Sequence, residues 1–210
     1  MTSQPDRPRW REYEPSQLPK PLAAALAAFV DQGYHGASIR DIATRAGLSV
    51  PGLYHHYPSK QALLVGLTSV AMTELLDRSR SAEAEAGPDP RARFDAVVES
   101  LLRFHMFRQQ ESFIASSEIR SMEPGARAEY IDRRDEQQRQ VDRIVAEGVE
   151  AGLFRLNNPG DVSRAVVTMC VAVAGWYRAD GPLTPDELVA RYGEIARNMV
   201  RATTTSDTQD

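Results

Sequence analysis

Cysteine is almost absent from this chain of 210 residues, since Cys170 is the only one. A single thiol excludes an internal disulfide and suits a reducing compartment. Long apolar runs are missing too, because the most apolar stretch, 165–177, is shorter than the roughly 20 residues of a membrane-spanning helix. Residues 1–21 include five prolines and no apolar segment typical of a secretory signal. The sequence therefore predicts a cytoplasmic protein with no membrane partner.

Motifs of the common enzyme classes are also lacking. There is no Gly-rich phosphate loop, no GxSxG turn around a nucleophilic serine and no spacing typical of metal ligands. His55 and His56 are adjacent, so on a helix they would point in different directions and would not share a metal ion. The sequence thus predicts no catalysis, no metal site and no cofactor, and a helical enzyme is the least favoured alternative.

Apolar residues recur at helical spacing in almost every long segment, and no segment alternates as a strand does. Glycine, proline and capping residues divide the chain into about nine helices, so the predicted fold class is all-α. The predicted helices cover roughly 18–32, 38–47, 49–57, 59–80, 91–108, 111–120, 124–152, 161–177 and 185–201. Residues 81–90, rich in Glu, Ala, Gly and Pro, are predicted to form a linker.

The helices predicted at 38–47 and 49–57 have the features of a helix-turn-helix. Gly47 ends the first helix, as glycine does where the chain turns with positive φ. Ser49 can cap the second, and Pro51 falls in its first turn, where a missing N–H is tolerated. Such a pair holds its second helix in the major groove of DNA. Residues 1–60 carry a net charge of +2 although the whole chain carries −4, which favours this end as the one facing phosphates.

The same residues resemble the DNA-binding region of the TetR family of transcriptional regulators. Gly36–Ser49 (GASIRDIATRAGLS) resembles its first half and Gly52–Leu64 (GLYHHYPSKQALL) its second. The resemblance covers roughly residues 18–64 and implies an operator-binding homodimer, most often a repressor, that responds to a small molecule. It implies that the following residues contact double-stranded DNA: Ser38, Arg40, Ser49, Val50, Pro51, Gly52, Tyr54, His55, His56 and Lys60.

The chemistry of these residues suits DNA, with one departure from the usual pattern. In such a family member Arg40 can reach a base, Lys60 clamps a phosphate, and Val50 presses on thymine methyl groups. Residues 50–57, however, contain no Arg, Lys, Asn or Gln, the side chains that read bases through paired hydrogen bonds. Readout is then expected to depend on Arg40, methyl contacts and DNA shape. A helical interaction protein without DNA binding is the alternative left open.

The predicted domain organisation has four parts. A flexible arm over 1–17 precedes a DNA-binding domain over 18–64, and a ligand-binding and dimerisation domain over 65–201 precedes a disordered tail over 202–210. Arg7, Arg9 and Arg11 in the arm could lie in a minor groove or be solvated.

The predicted C-terminal domain is assigned a dimer surface and a pocket. By the resemblance, helices 161–177 and 185–201 pair with their mates in a four-helix bundle; burial in a monomer core is the alternative. The segment from Ser117 to the end of the helix predicted over 124–152, together with Trp176–Leu183, is more weakly similar to acyl-CoA-responsive TetR-type regulators, which implies a fatty acyl-CoA or another apolar effector. Candidate pocket residues are Leu75, Leu102, Met106, Phe107, Phe113, Ile114, Met169 and Trp176. Arg120, Arg127, Arg134 and Arg178 are either phosphate-binding residues at its mouth or exposed helix arginines.

Overall fold

The computed structural model describes residues 10–201, which form α-helices, turns and no strand. Two short 3-10 helices, Glu118–Ser121 and Val173–Gly175, accompany the α-helices of this part of the chain. The α-helices are α1 (Lys20–Gly36), α2 (Ile39–Ala46), α3 (Val50–His56), α4 (Lys60–Ala86), α5 (Pro90–Phe107), α6 (Gln109–Ser117), α7 (Pro124–Glu150), α8 (Pro159–Ala172) and α9 (Pro185–Met199). The predicted all-α fold of about nine helices is confirmed.

Side-chain caps fix several helix starts at the positions expected from the sequence. The Ser38 hydroxyl accepts a hydrogen bond from the Asp41 N–H at 3.1 Å. At the start of α9, Thr184 Oγ1 accepts from the Glu187 N–H at 3.3 Å, and the Glu187 carboxylate accepts from the Thr184 N–H at 2.9 Å. These bonds satisfy N–H groups that the first turn of a helix leaves without a partner.

The predicted linker over 81–90 is wrong for its first half, because α4 continues to Ala86. Alanine and glutamate are strong helix formers, and Ala82 is fully buried, so both propensity and packing extend the helix. The break comes at Gly87, whose φ of +76° lies in the left-handed region. The helix predicted over 161–177 is also shorter, since α8 ends at Ala172 and a 3-10 turn follows.

The described residues group into two compact units. The first unit comprises residues 10–13, 75–107 and 135–201, and the second comprises 14–74 and 108–134. Helices α5, α8 and α9 pack together in the first unit, while α1 packs against α2 and α6 in the second. No helix within residues 10–201 combines the length and apolar character needed to cross a bilayer.

In the first unit, the N-terminal segment is anchored rather than flexible over residues 10–13. Trp10 is only 2% exposed and packs against Ala82 and Ala96, and its indole N–H donates to Glu85 at 2.9 Å. The buried Arg78 guanidinium donates to the main-chain oxygen of Trp10 at 3.1 Å. Burying the indole stabilises this docked segment, which covers only part of the arm predicted over 1–17.

Arg11, a candidate minor-groove residue, belongs to the same anchored segment. Its guanidinium forms ion pairs with Glu85 at 2.7 Å and with Glu99 at 3.1 Å. Both acids also raise the pKa of Arg11, against the opposing effect of desolvation. The candidate arginines Arg7 and Arg9 lie outside the described residues, as does the expected tail over 202–210.

The core of the second unit holds the helix-turn-helix together. Five of its apolar side chains, drawn from α1 to α4, are at most 1% exposed: Leu22, Phe29, Ile42, Leu53 and Leu63. Gly66 of α4 leaves room for this packing, since a Cβ there would lie 3.0 Å from the Tyr57 ring and 3.3 Å from Leu22. The absence of a side chain at residue 66 therefore lets the ring of Tyr57, which directly follows α3, pack closely against α4.

Candidate nucleic-acid interface

The turn between α2 and α3 is short and fixed by the main chain. Gly47 has φ +68° and ψ +30°, a left-handed conformation that residues with a Cβ rarely adopt. The Leu48 N–H then donates to the Ala43 oxygen at 2.9 Å. Ser49 starts α3 immediately afterwards, and its hydroxyl accepts from the Gly52 N–H at 3.1 Å. The direction of α3 is therefore set by local hydrogen bonds rather than by a mobile loop.

Helix α3 has one buried side and one open side. Leu53 is fully buried against the core, whereas Tyr54 is 44% exposed. Pro51, His55 and His56 are exposed as well, and Val50 and Gly52 are half-buried. The His55 and His56 rings are 5.7 Å apart and nearly perpendicular. An exposed aromatic side chain beside small apolar residues is a surface that can contact base methyl groups and sugars.

Hydroxyl groups mark the start of both helices of the pair. Ser38 and Ser49 are exposed, and each uses its oxygen to accept a cap bond. A hydroxyl that accepts one hydrogen bond can still donate its own proton. The positive end of each helix dipole lies at the same place, so both positions are suited to a phosphate.

Arg40 is the exposed cation of α2 that forms no ion pair within residues 10–201. The neighbouring Arg45 is instead held by Asp31 at 2.7 Å and by Asp41 at 3.0 Å. The formal positive charge of this region therefore overstates what DNA would meet, since Arg45 is neutralised within the protein. Arg40 is the side chain of the pair that can reach out without breaking an ion pair.

The half-buried Lys60 side chain bonds to the main chain at the end of α1. Its ammonium donates to the main-chain oxygens of Tyr34 at 2.7 Å, Ala37 at 3.0 Å and His35 at 3.4 Å. It also lies 4.6 Å from the centre of the Tyr34 ring. Carbonyls distant in sequence thus converge on the Lys60 ammonium in the structure, and its phosphate contact stays a prediction.

The eight candidate pocket residues are distributed over both units. Leu75, Leu102 and Met106 are buried in the first unit, and Met169 is half-buried there. Three candidates are instead open to solvent: Phe107 at 42%, Trp176 at 45% and Phe113 at 51%. Phe113 and the buried Ile114 belong to the second unit. The buried candidates of the first unit are thus Leu75, Leu102 and Met106, and the pocket itself stays a prediction.

The first unit also carries exposed apolar side chains on α8, α9 and the turn between them. Val171 is 40% exposed, Ile195 is 42% exposed and Trp176 is 45% exposed. The Trp176 ring lies 5.5 Å from that of Tyr192 on α9. Both α8 and α9 therefore carry exposed as well as buried apolar side chains, such as the fully buried Val166 and Leu188.

No group of three or more His, Cys, Asp or Glu side chains within residues 10–201 is arranged to hold a metal ion.

Two family models match the chain. Residues 22–67 match that of the "Bacterial regulatory proteins, tetR family", and residues 87–200 match that of the "Tetracyclin repressor-like, C-terminal domain". The first match contains α2, α3 and the turn between them. The second covers more than half of the chain.

Proteins of known role resemble the chain over most of its length. The HTH-type transcriptional repressor KstR2 of Mycobacterium tuberculosis is 32% identical over 178 residues, which are 81% of this chain and 86% of that repressor. Its solved structure, described as a ketosteroid transcriptional regulator, has a TM-score of 0.78 at 24% identity, covering 90% of this chain and 97% of that one.

Two further solved structures share the fold. A regulatory protein of the tetR family from Rhodococcus RHA1 has a TM-score of 0.80 at 24% identity, covering 88% of this chain and 97% of its own. AibR in complex with isovaleryl coenzyme A and operator DNA has a TM-score of 0.76 at 21% identity, covering 87% and 97%.

Proposed function

Because the chain belongs to the TetR family of transcriptional regulators, we propose that it is a repressor that binds a palindromic operator as a dimer. An effector that binds the first unit releases the operator by favouring a conformer that fits DNA less well. The repressor named KstR2, which most of the chain resembles, supports this mode of action. The proposed place of action is the cytoplasm, where a bacterial operator lies.

The open side of α3 is the observation that carries the proposal. Pro51, Tyr54 and His55 are exposed there. The exposed N-cap serines of α2 and α3 and the exposed Arg40 of α2 belong to the same helix pair. Helix α3 is supported from behind by Leu53, which is fully buried. A rigid helix with an open face and phosphate-binding groups at its start fits the major groove. The proposed contact residues are Ser38, Arg40, Ser49, Val50, Pro51, Gly52, Tyr54, His55 and His56.

Selection of fragments from the host genome, followed by gel retardation, tests DNA binding directly. We expect Tyr54→Ala to weaken binding of a retained fragment by about tenfold or more, as when one good base contact is removed. Gln110→Ala is the matched control, because Gln110 is exposed on α6, away from α2 and α3 in sequence. Equal retardation by Tyr54→Ala and wild type would remove Tyr54 from the interface. No retardation by the wild type would favour the alternative of a helical interaction protein.

A second copy of the chain is the proposed partner of the α8–α9 surface. Val171, Trp176 and Ile195 expose large apolar areas there, and burial of apolar surface drives association. A two-fold dimer would present two α3 helices to the two halves of a palindrome. One copy alone makes few base contacts, so the dimer is also needed for tight binding.

Light scattering and native mass spectrometry measure this assembly. The wild type is expected at twice the chain mass of 23.3 kDa. We expect Ile195→Glu to shift the equilibrium toward the monomer, because it buries a charge without a partner. Phe113→Glu, a similar change at an exposed residue of α6, serves as the control and is expected to leave the dimer intact. A monomeric wild type would overturn the proposed dimer.

The proposed effector is an acyl-coenzyme A or a similar apolar molecule. Support comes from the complex of AibR with isovaleryl coenzyme A and from the ketosteroid description of KstR2. The buried aliphatic side chains of Leu75, Leu102 and Met106 would suit the apolar part of such a ligand.

Thermal-shift assays and release of a retained DNA fragment test this choice. The probes are isovaleryl coenzyme A, a steroid-derived acyl-coenzyme A and free coenzyme A. We expect an acyl thioester to raise the melting temperature and release DNA, while free coenzyme A does neither. Equal effects of free and acylated coenzyme A would show that the apolar part is not recognised. No effect of any probe would reject this ligand class and leave DNA binding unaffected.

A further inference from the structure

Polar side chains of α4 and α7 meet inside the first unit and form what we term the glutamine cluster: Ser79 and Glu83 of α4 with Gln137 and Gln140 of α7. Ser79 is fully buried, and Gln137 is only 4% exposed. Burying a polar group costs free energy unless that group has a hydrogen-bond partner. A cluster at this depth therefore needs a partner for each of its polar atoms.

A charge at the edge of the glutamine cluster fixes the orientation of Gln140. The Arg143 guanidinium donates to the Glu83 carboxylate at 2.6 Å, and Gln140 Nε2 donates to the same carboxylate at 2.7 Å. Because an ionised carboxylate can only accept, the amide nitrogen of Gln140 must face Glu83. The other amide atom, Gln140 Oε1, then accepts from the Ser79 hydroxyl at 2.6 Å.

The same chain of hydrogen bonds fixes the orientation of Gln137. Its Nε2 donates to Gln140 Oε1 at 3.1 Å and to Ser79 Oγ at 3.3 Å. A rotated Gln137 amide would place two oxygens 3.1 Å apart with no proton between them. Gln137 Oε1 is therefore left outside the chain of bonds, and it accepts no hydrogen bond from any group within residues 10–201.

A buried acceptor without a donor destabilises the free protein, because the hydration that it loses on folding is not replaced. A few polar groups with fixed orientations are also what gives an otherwise apolar binding site its specificity. Along α4, the cluster is next to a buried candidate pocket residue, since Leu75 precedes Ser79 by about one helical turn. The unpaired oxygen thus belongs to the unit in which an effector is proposed to bind.

We propose that Gln137 Oε1 is a specificity-determining acceptor and that the effector presents a neutral hydrogen-bond donor to it. A cationic donor would carry a charge into the interior without an anionic partner. The inference rests on the proposed binding of an effector to the first unit, and it adds a polar group to a ligand described so far only as apolar. An acyl-coenzyme A has two sources of such a donor, a hydroxyl on its acyl group and the amide N–H groups of its pantetheine arm.

Melting temperatures without ligand test the unpaired acceptor, after refolding from urea has removed any retained molecule. Gln137→Met deletes the oxygen and keeps an unbranched side chain, while Gln140 keeps its bonds to Ser79 and Glu83. We expect the melting temperature to stay unchanged or to rise by about 2–4 °C. Gln140→Met should lower it, because Ser79, Glu83 and Gln137 each lose a partner. A comparable loss for Gln137→Met, or its failure to fold, would mean that the oxygen is already paired, for instance with a buried water, and would overturn the inference.

Calorimetric binding of two matched probes tests recognition of the donor. The probes are isovaleryl coenzyme A and 3-hydroxyisovaleryl coenzyme A, which differ by one hydroxyl. We expect Gln137→Met to weaken binding of the hydroxylated probe by about tenfold, as when one buried hydrogen bond is lost. Gln138→Met is the matched control and should bind as the wild type does, because the Gln138 amide donates instead to Asp142 at 2.8 Å.

The pattern of weakening identifies the source of the donor. Weakened binding of the hydroxylated probe alone would identify the acyl hydroxyl, and equal weakening of both probes would identify a pantetheine N–H. Unchanged binding of both probes by Gln137→Met would reject the inference. If neither probe binds the wild type, the proposed effector class fails, while the melting temperatures still decide whether Gln137 Oε1 is unpaired.

Discussion

A buried histidine in the first unit is expected to make the stability of the protein fall at mildly acidic pH. His105 lies on α5 and is only 4% exposed, and its Nδ1 is 2.8 Å from the Leu101 oxygen. Because a carbonyl can only accept, Nδ1 carries the proton of the neutral ring. Burial lowers the pKa of His105 from 6.5 to about 4, although the bond to Leu101 opposes the shift.

The size of the effect follows from the two pKa values. In the unfolded chain His105 takes up a proton below its ordinary pKa, while the folded protein resists protonation until about pH 4. The contribution of the neutral ring to the free energy of unfolding is therefore fully present above the pKa of the unfolded state. It is lost as the pH falls toward the pKa of the folded state. At about pH 5 the loss from this one group amounts to roughly 2 kcal/mol of unfolding free energy.

Urea unfolding followed by circular dichroism measures this loss at about pH 8 and about pH 5. His105→Gln and His105→Leu remove the titrating ring, and carboxylates elsewhere titrate equally in all three proteins. We expect the wild type to lose roughly 2 kcal/mol more than either variant between these pH values, at one protein concentration. Equal pH dependence in all three proteins would show that the ring is not kept neutral by burial, and the reasoning would be refuted.

Three further substitutions or reactions probe the packing. Gly148→Ala should destabilise the protein by about 1–3 kcal/mol in urea unfolding, because a Cβ there would overlap the Phe154 ring. Gly125→Ala in the same helix has open space and should be neutral or slightly stabilising; equal destabilisation by both would contradict the packing argument. Trp10→Ala should lower the unfolding free energy by about 3–5 kcal/mol, whereas an unaffected melting temperature would mean that residues 10–13 do not dock. Burial raises the pKa of Cys170 to about 12, so a disulfide reagent at about pH 8 should react only after unfolding.

Local signals were enough to predict most of the fold. The caps at Ser38 and Thr184 and the turn at Gly47 depend on bonds within four residues, and all are present in the structure. The predictions of a TetR-family regulator and of no enzyme are confirmed by the family models and by the similarity to KstR2. These properties depend on short motifs, which a single sequence displays directly.

The errors arose where contacts distant in sequence decide the outcome. Residues 10–13 lie in a polar stretch flanked by prolines. In the structure, however, Trp10 packs against Ala82 and Ala96, which are more than 70 residues away in the sequence. The two large aromatic residues in this segment, Trp10 and Tyr13, were the available signal. The hydrogen bonds of Lys60 could not be predicted from the sequence either, since Tyr34, 26 residues earlier, supplies its nearest acceptor.

The composition of α3 has a consequence for how such a protein can choose its operator. Its exposed residues include Tyr54 and two histidines, but Arg40 on α2 is the nearby cation without an ion pair among the described residues. With few hydrogen bonds to bases, each half-site can contribute only a modest preference, at about 1–3 kcal/mol for each well-read base pair. In the proposed dimer, two half-sites would double that preference if both α3 helices are presented at a fixed spacing and angle. In the proposed complex, discrimination then depends on the packing that holds α3 in place, such as the buried Leu53, as well as on the side chains that touch DNA.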